Sequence, residues 1–332
     1  MGSNSLSVTY RKLGRTGLWV SAVGLGCGNF GGIGSAPALF GKGESEPAAH
    51  AIMDAAWERG ITLFDTANTY GGGRSETYIG NWLRAKGSAV RDRLVLSSKV
   101  FHPIGDGPND RGLSRRFIMR QIEASLSRLG SDHLDLYLIH YPDPDTPLEE
   151  HLRAFSDLIH QGKVRYIGAS NMPAWLMLQT QRVSDALGLQ RFVWVQNAYS
   201  LLERGDEREV LPLCAALGLG YTPFSPLAGG WLTGKYARPA AYPVGSRMTL
   251  RPEPYTSYER TKTFTGLARL SAEAERRGAS TAGLALAWVM AHPVVTAPII
   301  GPRRPEHLSP AIEALALTLS ESERQSIAGF FA

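Results

Sequence analysis

Residues 162–171 have the sequence Gly162-Lys163-Val164-Arg165-Tyr166-Ile167-Gly168-Ala169-Ser170-Asn171. The opening glycine falls just past an amphipathic stretch, where a helix end favours a left-handed residue. The apolar run at 164–168 is typical of a strand that is covered on both faces, as parallel strands are. Polar residues follow the run at once. This stretch therefore predicts a helix end, a buried strand and a polar strand exit.

The same arrangement recurs along the whole chain. Apolar runs lie at 20–25, 61–64, 94–97, 134–139, 164–168, 192–195, 219–222 and 294–300. Stretches with helical spacing lie at 47–59, 75–85, 115–129, 148–160, 173–187, 207–217, 261–277, 280–291 and 305–316. Eight strands with helices between them indicate an α/β protein and predict a (β/α)8 TIM barrel.

Three further segments complete the predicted architecture. Residues 10–20 have the pattern of a β-hairpin, which we expect at the bottom of the barrel. Residues 101–113 and 236–258 are rich in proline or glycine, which predicts long loops at the C-terminal face. Nothing in the pattern marks an interdomain linker. We therefore expect one domain over residues 1–332.

Composition excludes several classes of protein. Hydrophobic residues make up 43% of the 332 residues and charged residues 20%, which favours a large core over a disordered chain. The 35 basic and 30 acidic residues form no long like-charged run, so no nucleic-acid partner is expected. The longest near-apolar stretch, 282–291, is far shorter than the ~20 residues that span a membrane.

The cell compartment is predicted from the cysteines and the first residues. Cys27 and Cys214 are the only cysteines, lie far apart and have apolar neighbours, so they form neither a disulfide framework nor a metal motif. Residues 1–5 lack the charged and apolar regions of a signal peptide. Together these features predict a reducing compartment and a cytoplasmic location.

Polar residues stand at the ends of five successive predicted strands. In a TIM barrel, the C-terminal strand ends meet at the face where chemistry takes place. Any one polar strand end has an ordinary structural explanation, but five in succession favour a functional site. They are Asp65, Lys99, His140, the pair Ser170-Asn171 and the pair Gln196-Asn197.

Tyr70 follows Asp65 by five residues and lies in the loop above the predicted barrel mouth. A tyrosine has an ordinary pKa near 10, so it is a poor proton donor at neutral pH. The ammonium of Lys99 would favour the ionised phenol and lower that pKa, while Asp65 would hold the ammonium in place. His140 could orient a substrate oxygen. These are the groups needed to protonate a carbonyl oxygen while a hydride reaches the carbon.

These residues strongly resemble the catalytic tetrad of the aldo-keto reductase superfamily. The resemblance covers nearly the whole chain, including residues 60–67, 134–140, 162–171 and 224–230. It implies a nicotinamide-dependent enzyme that reduces aldehydes or ketones to alcohols without a metal ion. In the family's pattern Tyr70 is the general acid, Lys99 and Asp65 tune it, and His140 orients a small-molecule carbonyl substrate.

The resemblance also implies a set of cofactor contacts. The nicotinamide carboxamide would be held by Ser170, Asn171 and Gln196, and its ring would stack on Phe224. The pyrophosphate would lie along Ser225, Leu227, Gly229 and Lys235, and the adenosine end along Gly301, Arg303, Arg304 and His307.

The identity of the nicotinamide cofactor is predicted from the same segment. An arginine pair leading into a helix suits the 2′-phosphate of NADP(H), because a helix N-terminus also favours an anion. Many NADP-binding relatives have lysine in place of Gly301 and arginine in place of His307, so these two positions weaken the prediction of NADP(H), although Arg303 could compensate. On balance the arginine pair favours NADP(H), and NAD(H) is the alternative.

Aromatic and histidine residues in the loops predict the substrate pocket. Phe30, His102, Tyr141 and Trp231, together with the loop at 236–258, would form a roomy aromatic site. The remaining histidines, including His151 and His160, have no metal-ligand spacing, so surface positions and no metal site are expected.

Two other functions share every residue named above. The segment 224–230 also resembles the branch of the superfamily that contains the β subunits of voltage-gated potassium channels, which implies a binding module or redox sensor. A sugar or alcohol dehydrogenase that acts mainly in the oxidative direction would use the same site. The sequence does not decide between these alternatives, nor does it predict an oligomeric state.

Overall fold

The computed structural model describes residues 8–236 and 240–332. The predicted absence of a signal peptide at residues 1–5, and Pro239 of the long loop at 236–258, fall outside the described residues. The described strands are β1 (Tyr10–Lys12), β2 (Trp19–Ser21), β3 (Gly24–Gly26), β4 (Leu63–Asp65), β5 (Val95–Val100), β6 (Leu134–Ile139), β7 (Val164–Ser170), β8 (Trp194–Gln196), β9 (Gly220–Tyr221) and β10 (Ile299–Ile300).

Helices cover the outside of the larger sheet. Those described are α1 (Glu46–Glu58), α2 (Arg74–Lys86), α3 (Ser88–Arg91), α4 (Arg115–Leu129), α5 (Leu148–His160), α6 (Ala174–Leu187), α7 (Val210–Leu217), α8 (Arg247–Leu250), α9 (Thr261–Arg276), α10 (Thr281–Met290), α11 (Ser309–Ala316) and α12 (Glu321–Ala328).

Eight parallel strands pair in the order β10-β3-β4-β5-β6-β7-β8-β9. The two ends of this sheet also meet. The Thr296 amide donates to the Tyr221 carbonyl at 2.8 Å, and the Ile299 amide donates to the Pro223 carbonyl at 2.8 Å. The sheet therefore curls on itself with helices around it, and the predicted (β/α)8 barrel is confirmed.

The N-terminal hairpin fills one end of the barrel, as predicted. Strands β1 and β2 pair antiparallel, with Arg11 opposite Val20. Leu13 and Val20 are fully buried in a cluster with Leu63, Val95 and other inward-facing strand residues. Since those residues precede the polar strand ends, the hairpin lies at the barrel bottom.

The first apolar run, 20–25, forms two strands and not the single one predicted. Ser21 ends the hairpin, and its hydroxyl donates to the Val23 carbonyl at 2.7 Å. The same hydroxyl accepts from the amides of Thr62 and Leu63, at 3.0 and 3.1 Å. One buried serine thus satisfies the backbone where the chain leaves the hairpin and enters the barrel.

Helix bounds agree closely with the sequence pattern, with a few additions. The predicted loop at 236–258 contains the short helix α8 and a 3₁₀ turn at Glu253–Tyr258. Helix α12 was not predicted, although it begins with a capping box in which Ser320 and Glu323 satisfy each other's backbone amides. The loop at 101–113 contains no helix or strand, as expected.

One helix end shows why a glycine is required. Gly218 follows α7 with a φ of 67°, and its carbonyl accepts from the Arg15 amide of the hairpin at 2.8 Å. A β-carbon at Gly218 would overlap the Arg15 side chain at 1.9 Å. Gly218 therefore both ends the helix and lets the hairpin approach the barrel.

His151 is a correction to the sequence analysis, which placed it at the surface. It lies on α5 and is 1% exposed, and neither ring nitrogen has a hydrogen-bond partner within the described residues. Burial lowers the pKa of His151 to about 4, and the nearby carboxylates Asp143, Glu149 and Glu150 only partly oppose this. His160, the last residue of the same helix, is exposed as predicted.

The buried imidazole makes folding sensitive to acid. Because folding lowers the pKa of His151, the unfolded chain binds more protons between about pH 6.5 and about pH 4, so stability falls as the pH falls through that window. Between about pH 7.5 and pH 5, this residue should remove about 2 kcal/mol from the free energy of unfolding. Urea unfolding at the two pH values measures the loss.

The variant His151→Leu should show an acid loss smaller by that amount, whatever its constant effect on packing. His160→Leu, on the same helix and exposed, is the matched control and should keep the full loss. An identical pH dependence in all three proteins would contradict this assignment.

Candidate active site

Three of the predicted polar strand ends meet in one buried cluster with Tyr70. The Lys99 Nζ atom donates to Asp65 Oδ2 at 2.5 Å, to the Thr66 carbonyl at 3.0 Å and to Tyr70 Oη at 3.4 Å. Asp65 and Lys99 are only 3% and 1% exposed. His140 Nε2 lies 3.5 Å from the Tyr70 hydroxyl. The structure therefore brings all four predicted catalytic residues together.

The register between β4 and β5 brings Asp65 and Lys99 together as an ion pair. Asp65 on β4 lies opposite Ser97 on β5, so Lys99 is two residues further along the same face. The second carboxylate oxygen of Asp65 accepts from Ser97 Oγ and from Gln196 Nε2, both at 3.0 Å. Because Gln196 is on β8, this contact crosses the barrel and fixes the carboxylate from a third strand.

A glycine-rich turn positions Tyr70. The tyrosine begins a 3₁₀ turn at Tyr70–Gly73. A β-carbon at Gly28 would lie 3.5 Å from the Tyr70 ring, and one at Gly71, where φ is 60°, would lie 2.6 Å from the Phe30 carbonyl. Glycine is therefore required at Gly71, where the turn packs directly against the loop after β3.

The pKa of Tyr70 differs from the prediction. Burial raises this pKa, the positive charge of Lys99 lowers it, and the negative charge of Asp65 raises it again. The net change is upward from 10, opposite to the predicted direction, because burial disfavours the phenolate more than the ammonium favours it. Tyr70 therefore keeps its proton at neutral pH.

Lys99 is charged and His140 is neutral. Burial lowers the pKa of Lys99, but Asp65 and Tyr70 together raise it above its ordinary value, so Lys99 is a cation. Burial, followed by the charges of Lys99 and His102, holds the pKa of His140 well below its ordinary value. His140 is therefore neutral, and its carbonyl accepts from Asn171 Nδ2 at 2.9 Å.

Backbone strain marks the predicted cofactor segment. Within the described residues, the non-glycine positions with positive φ are Asn171, Ser225 and Ala228, at 54°, 53° and 48°. A left-handed conformation costs such residues about 1–2 kcal/mol each. Strain of this kind clusters at ligand sites, where the surrounding structure holds it in place. Two of the three positions, Asn171 and Ser225, were predicted from the sequence to bind the cofactor.

The other predicted nicotinamide residues lie at the adjoining strand ends. Ser170 and Gln196 are buried at the ends of β7 and β8, which pair directly with each other. Asn171 Nδ2 also donates to Ser170 Oγ at 3.1 Å. Phe224 is half-buried and joins the backbones of Ala198 and Ile299 through isolated bridges. These four residues form one continuous edge of the barrel mouth.

Positive charges converge beyond that edge. Burial, then the charges of Arg247 and Arg303, lowers the pKa of Lys235. Arg303 is held by Glu44 at 2.5 Å and by the Gly245 carbonyl at 2.6 Å. Arg247 Nη2 donates to Asn29, whereas its Nη1 is buried without a hydrogen-bond partner among the described residues. The cluster thus has one unsatisfied guanidinium nitrogen.

Arg247 was missed by the sequence analysis. Its partner Asn29 is 218 positions away in the chain, and no local pattern connects them. The remaining predicted adenosine-end residues form an open rim, since Gly301, Arg304 and His307 are exposed. His307 Nδ1 accepts from the Arg303 amide at 3.2 Å. Partial burial of the ring, followed by the positive charges of Arg304 and Lys235, lowers the pKa of His307.

The predicted substrate residues separate into two groups. His102 and Tyr141 flank His140, with ring centroids 4.5 and 5.8 Å from it. Phe30 and Trp231 are fully buried. Trp231 packs against Tyr236 and neighbouring aromatic rings, and the lining role of these two residues stays a prediction.

Comparison with known proteins defines the class. The sequence matches the model of the aldo/keto reductase family over residues 22–330. The chain is 42% identical over 320 residues to the uncharacterized oxidoreductase YrpG of Bacillus subtilis, covering 94% of this chain and 92% of that protein. This chain therefore belongs to the aldo/keto reductase family, and the resemblance seen in the sequence is confirmed.

Two further relatives differ in their named roles. Versiconal hemiacetal acetate reductase of Aspergillus parasiticus is 34% identical over 340 residues, covering 95% of each chain. A putative voltage-gated potassium channel subunit beta of Schizosaccharomyces pombe is 36% identical over 323 residues, covering 93% of this chain and 88% of that one. Family membership supports an oxidoreductase that acts on carbonyl groups, and the family generally uses NAD(P)H.

Residues 8–236 and 240–332 contain neither a membrane-spanning helix nor a cluster of metal ligands. No helix there is both long enough and apolar enough to cross a membrane. No group of three or more histidine, cysteine or acidic residues there is arranged to hold a metal ion.

Proposed function

We propose that this protein reduces aldehyde or ketone groups of small molecules to alcohols with NADP(H), and that Tyr70 is the general acid. The observation that carries the proposal is the buried contact of Lys99 Nζ with both Asp65 Oδ2 and Tyr70 Oη, at 2.5 and 3.4 Å. The pairing of Lys99 with Asp65 does not itself require a contact with Tyr70. The ammonium of Lys99 does, however, stabilise the Tyr70 phenolate that remains after proton transfer.

The bound reduced nicotinamide supplies the hydride that reaches the carbonyl carbon. As the carbonyl oxygen gains negative charge, Tyr70 donates its proton to it, and the product is an alcohol. Lys99 stabilises the resulting phenolate, and Asp65 keeps Lys99 in place. Neutral His140 donates a hydrogen bond from Nε2 to the same oxygen, which orients the substrate before transfer. Solvent then restores the proton on Tyr70.

The residues at the mouth fit a dinucleotide cofactor. Ser170, Asn171 and Gln196 present hydroxyl and amide groups beside the tetrad, and half-buried Phe224 offers a ring for stacking. The strained Asn171 and Ser225, and the left-handed Gly229 beyond Leu227, are explained if the backbone must follow a ligand. Lys235 stands at the far end of this edge.

The unsatisfied guanidinium nitrogen of Arg247 supports a phosphate-bearing ligand. A buried cationic donor without a partner is costly, and a phosphate oxygen satisfies both its charge and its hydrogen bond. Arg303 already binds Glu44 and Gly245, so it positions the rim. Arg304 is exposed and has no side-chain partner in the described part of the chain, so an anion can reach it. Arg247 and Arg304 therefore favour the 2′-phosphate of NADP(H) over NAD(H), although Gly301 and His307 lack the positive charges that many NADP-binding relatives carry there.

The similarity to a potassium channel β subunit supports a second candidate function. In that case the same barrel and cofactor site would serve a partner protein, with little turnover. The tetrad is the same for both, and for a dehydrogenase acting mainly in the oxidative direction. Steady turnover of a carbonyl substrate favours the reductase, whereas tight cofactor binding without turnover of aldehydes or alcohols favours the β-subunit function.

The variant Tyr70→Phe should lower kcat for reduction of a reactive aromatic aldehyde by at least ~100-fold, since general acid catalysis typically contributes 10²–10⁴. The measurement is NADPH oxidation at 340 nm, with the affinity for NADPH followed by fluorescence. That affinity should stay within about twofold, because only the phenolic oxygen is removed. Wild-type turnover that survives in Tyr70→Phe would contradict the role of this residue.

The cofactor preference should depend on the cation cluster. Arg247→Gln should weaken NADPH binding by about tenfold or more, the effect of losing one charge-assisted hydrogen bond. Arg304→Gln should weaken NADPH binding but leave NADH binding unchanged, because only NADPH carries the 2′-phosphate. Arg269→Gln, an exposed position on α9, is the matched control. Equal binding of NADPH and NADH by the wild-type protein would contradict the preference.

A further inference from the structure

Arg251 lies directly after α8, in the segment that adjoins the barrel mouth. Its backbone amide donates to the Arg247 carbonyl at 2.8 Å, which closes the last turn of the helix. A β-carbon placed on Gly34 would lie 3.1 Å from Arg251 Nη1, so the guanidinium lies directly against that glycine.

Gly34 belongs to the wall that carries the catalytic tyrosine. Its amide donates to the Gly28 carbonyl at 2.7 Å, and its carbonyl accepts from the Gly71 amide at 3.1 Å. Gly71 is the residue after Tyr70, and Gly28 packs beneath the Tyr70 ring. The Arg251 guanidinium therefore lies within two backbone contacts of the proposed proton donor.

The positive charge of Arg251 also acts on His102, which lies beside the tetrad residue His140. Burial first, then the positive charge of Arg251, lowers the pKa of His102. The His102 ring is 4.5 Å from the His140 ring, which faces the Tyr70 hydroxyl. The guanidinium thus lies against the Tyr70 side of the site, and its positive charge also acts on His102.

Arg251 has no counter-ion in the part of the chain that the structure describes. No carboxylate there pairs with it, and a nearby charged group is another cation, Arg247. Burial lowers the pKa of Arg247, Tyr255 and Glu44 oppose this, and the positive charges of Arg303 and Arg251 lower it further. Arg303, by contrast, is paired with Glu44. The guanidinium of Arg251 is half-buried, and its charge is unfavourable there without an anion. A planar carboxylate can accept two parallel hydrogen bonds from such a guanidinium.

We propose that Arg251 is a specificity-determining residue that binds a carboxylate at the end of the substrate remote from the carbonyl group. The inference rests on the proposed carbonyl reductase function and names its substrate class: aldehydes or ketones that carry a carboxylate. The aromatic neighbours His102 and Tyr141 favour a flat body between the two groups.

The test compares 4-carboxybenzaldehyde with methyl 4-formylbenzoate, which have the same ring and aldehyde but differ in charge. Wild-type protein should prefer the carboxylate by tenfold or more in kcat/KM, and the preference should shrink with added salt. Arg251→Gln should lose at least tenfold in kcat/KM for the carboxylate, mainly through KM. Its kinetics with the ester, and its affinity for NADPH, should stay within about twofold.

Two variants complete the design. Arg251→Lys keeps the charge but lacks the fork, so it should recover part of the preference. Arg260→Gln, an exposed arginine of the same segment, should behave as wild type.

Three results would overturn the proposal. Equal losses for both aldehydes, with weaker NADPH binding, would place Arg251 in the cofactor site. Turnover of both aldehydes by the wild-type protein without a preference would remove the substrate class and leave the reductase function intact. Absence of turnover with either aldehyde would overturn the reductase function and this inference together.

Discussion

The ion pair between Lys99 and Asp65 is the interaction on which the site depends. Both groups are almost fully buried, and neither is tolerated there alone, because an unpaired buried charge costs several kcal/mol. Closing the barrel supplies what the pair needs, since Ser97 and Gln196 satisfy the remaining carboxylate oxygen from two other strands. The fold and the chemistry are therefore linked through one carboxylate.

The same pair explains how a tyrosine is used as an acid. Burial keeps the phenol protonated, and the ammonium offsets part of the cost of losing the proton. Burial also keeps His140 neutral and able to donate a hydrogen bond. Other features around this centre are unfavourable in free energy, and a bound ligand would offset them. They are the strained backbone at Asn171 and Ser225 and the unpaired guanidinium nitrogen of Arg247.

Much of the fold and of the tetrad can be predicted because their signals are local. Apolar runs, glycines after helices and polar strand ends give the barrel and bring Asp65, Lys99 and His140 to one face. Contacts between distant segments leave no such trace, so the contact of Arg247 with Asn29 was missed. The pKa direction of Tyr70 was also wrong, because the degree of burial is a property of the assembled barrel.

The most direct test of the central claim is an NMR titration of tyrosine labelled with ¹³C at Cζ, with Tyr70 assigned from Tyr70→Phe. The wild-type Tyr70 signal should stay that of the phenol through about pH 9, since burial raises its pKa above 10. In Lys99→Met that pKa should rise further, because the ammonium that favours the phenolate is gone. A phenolate near neutral pH in the wild type, or an unchanged or lower pKa in the variant, would contradict the account.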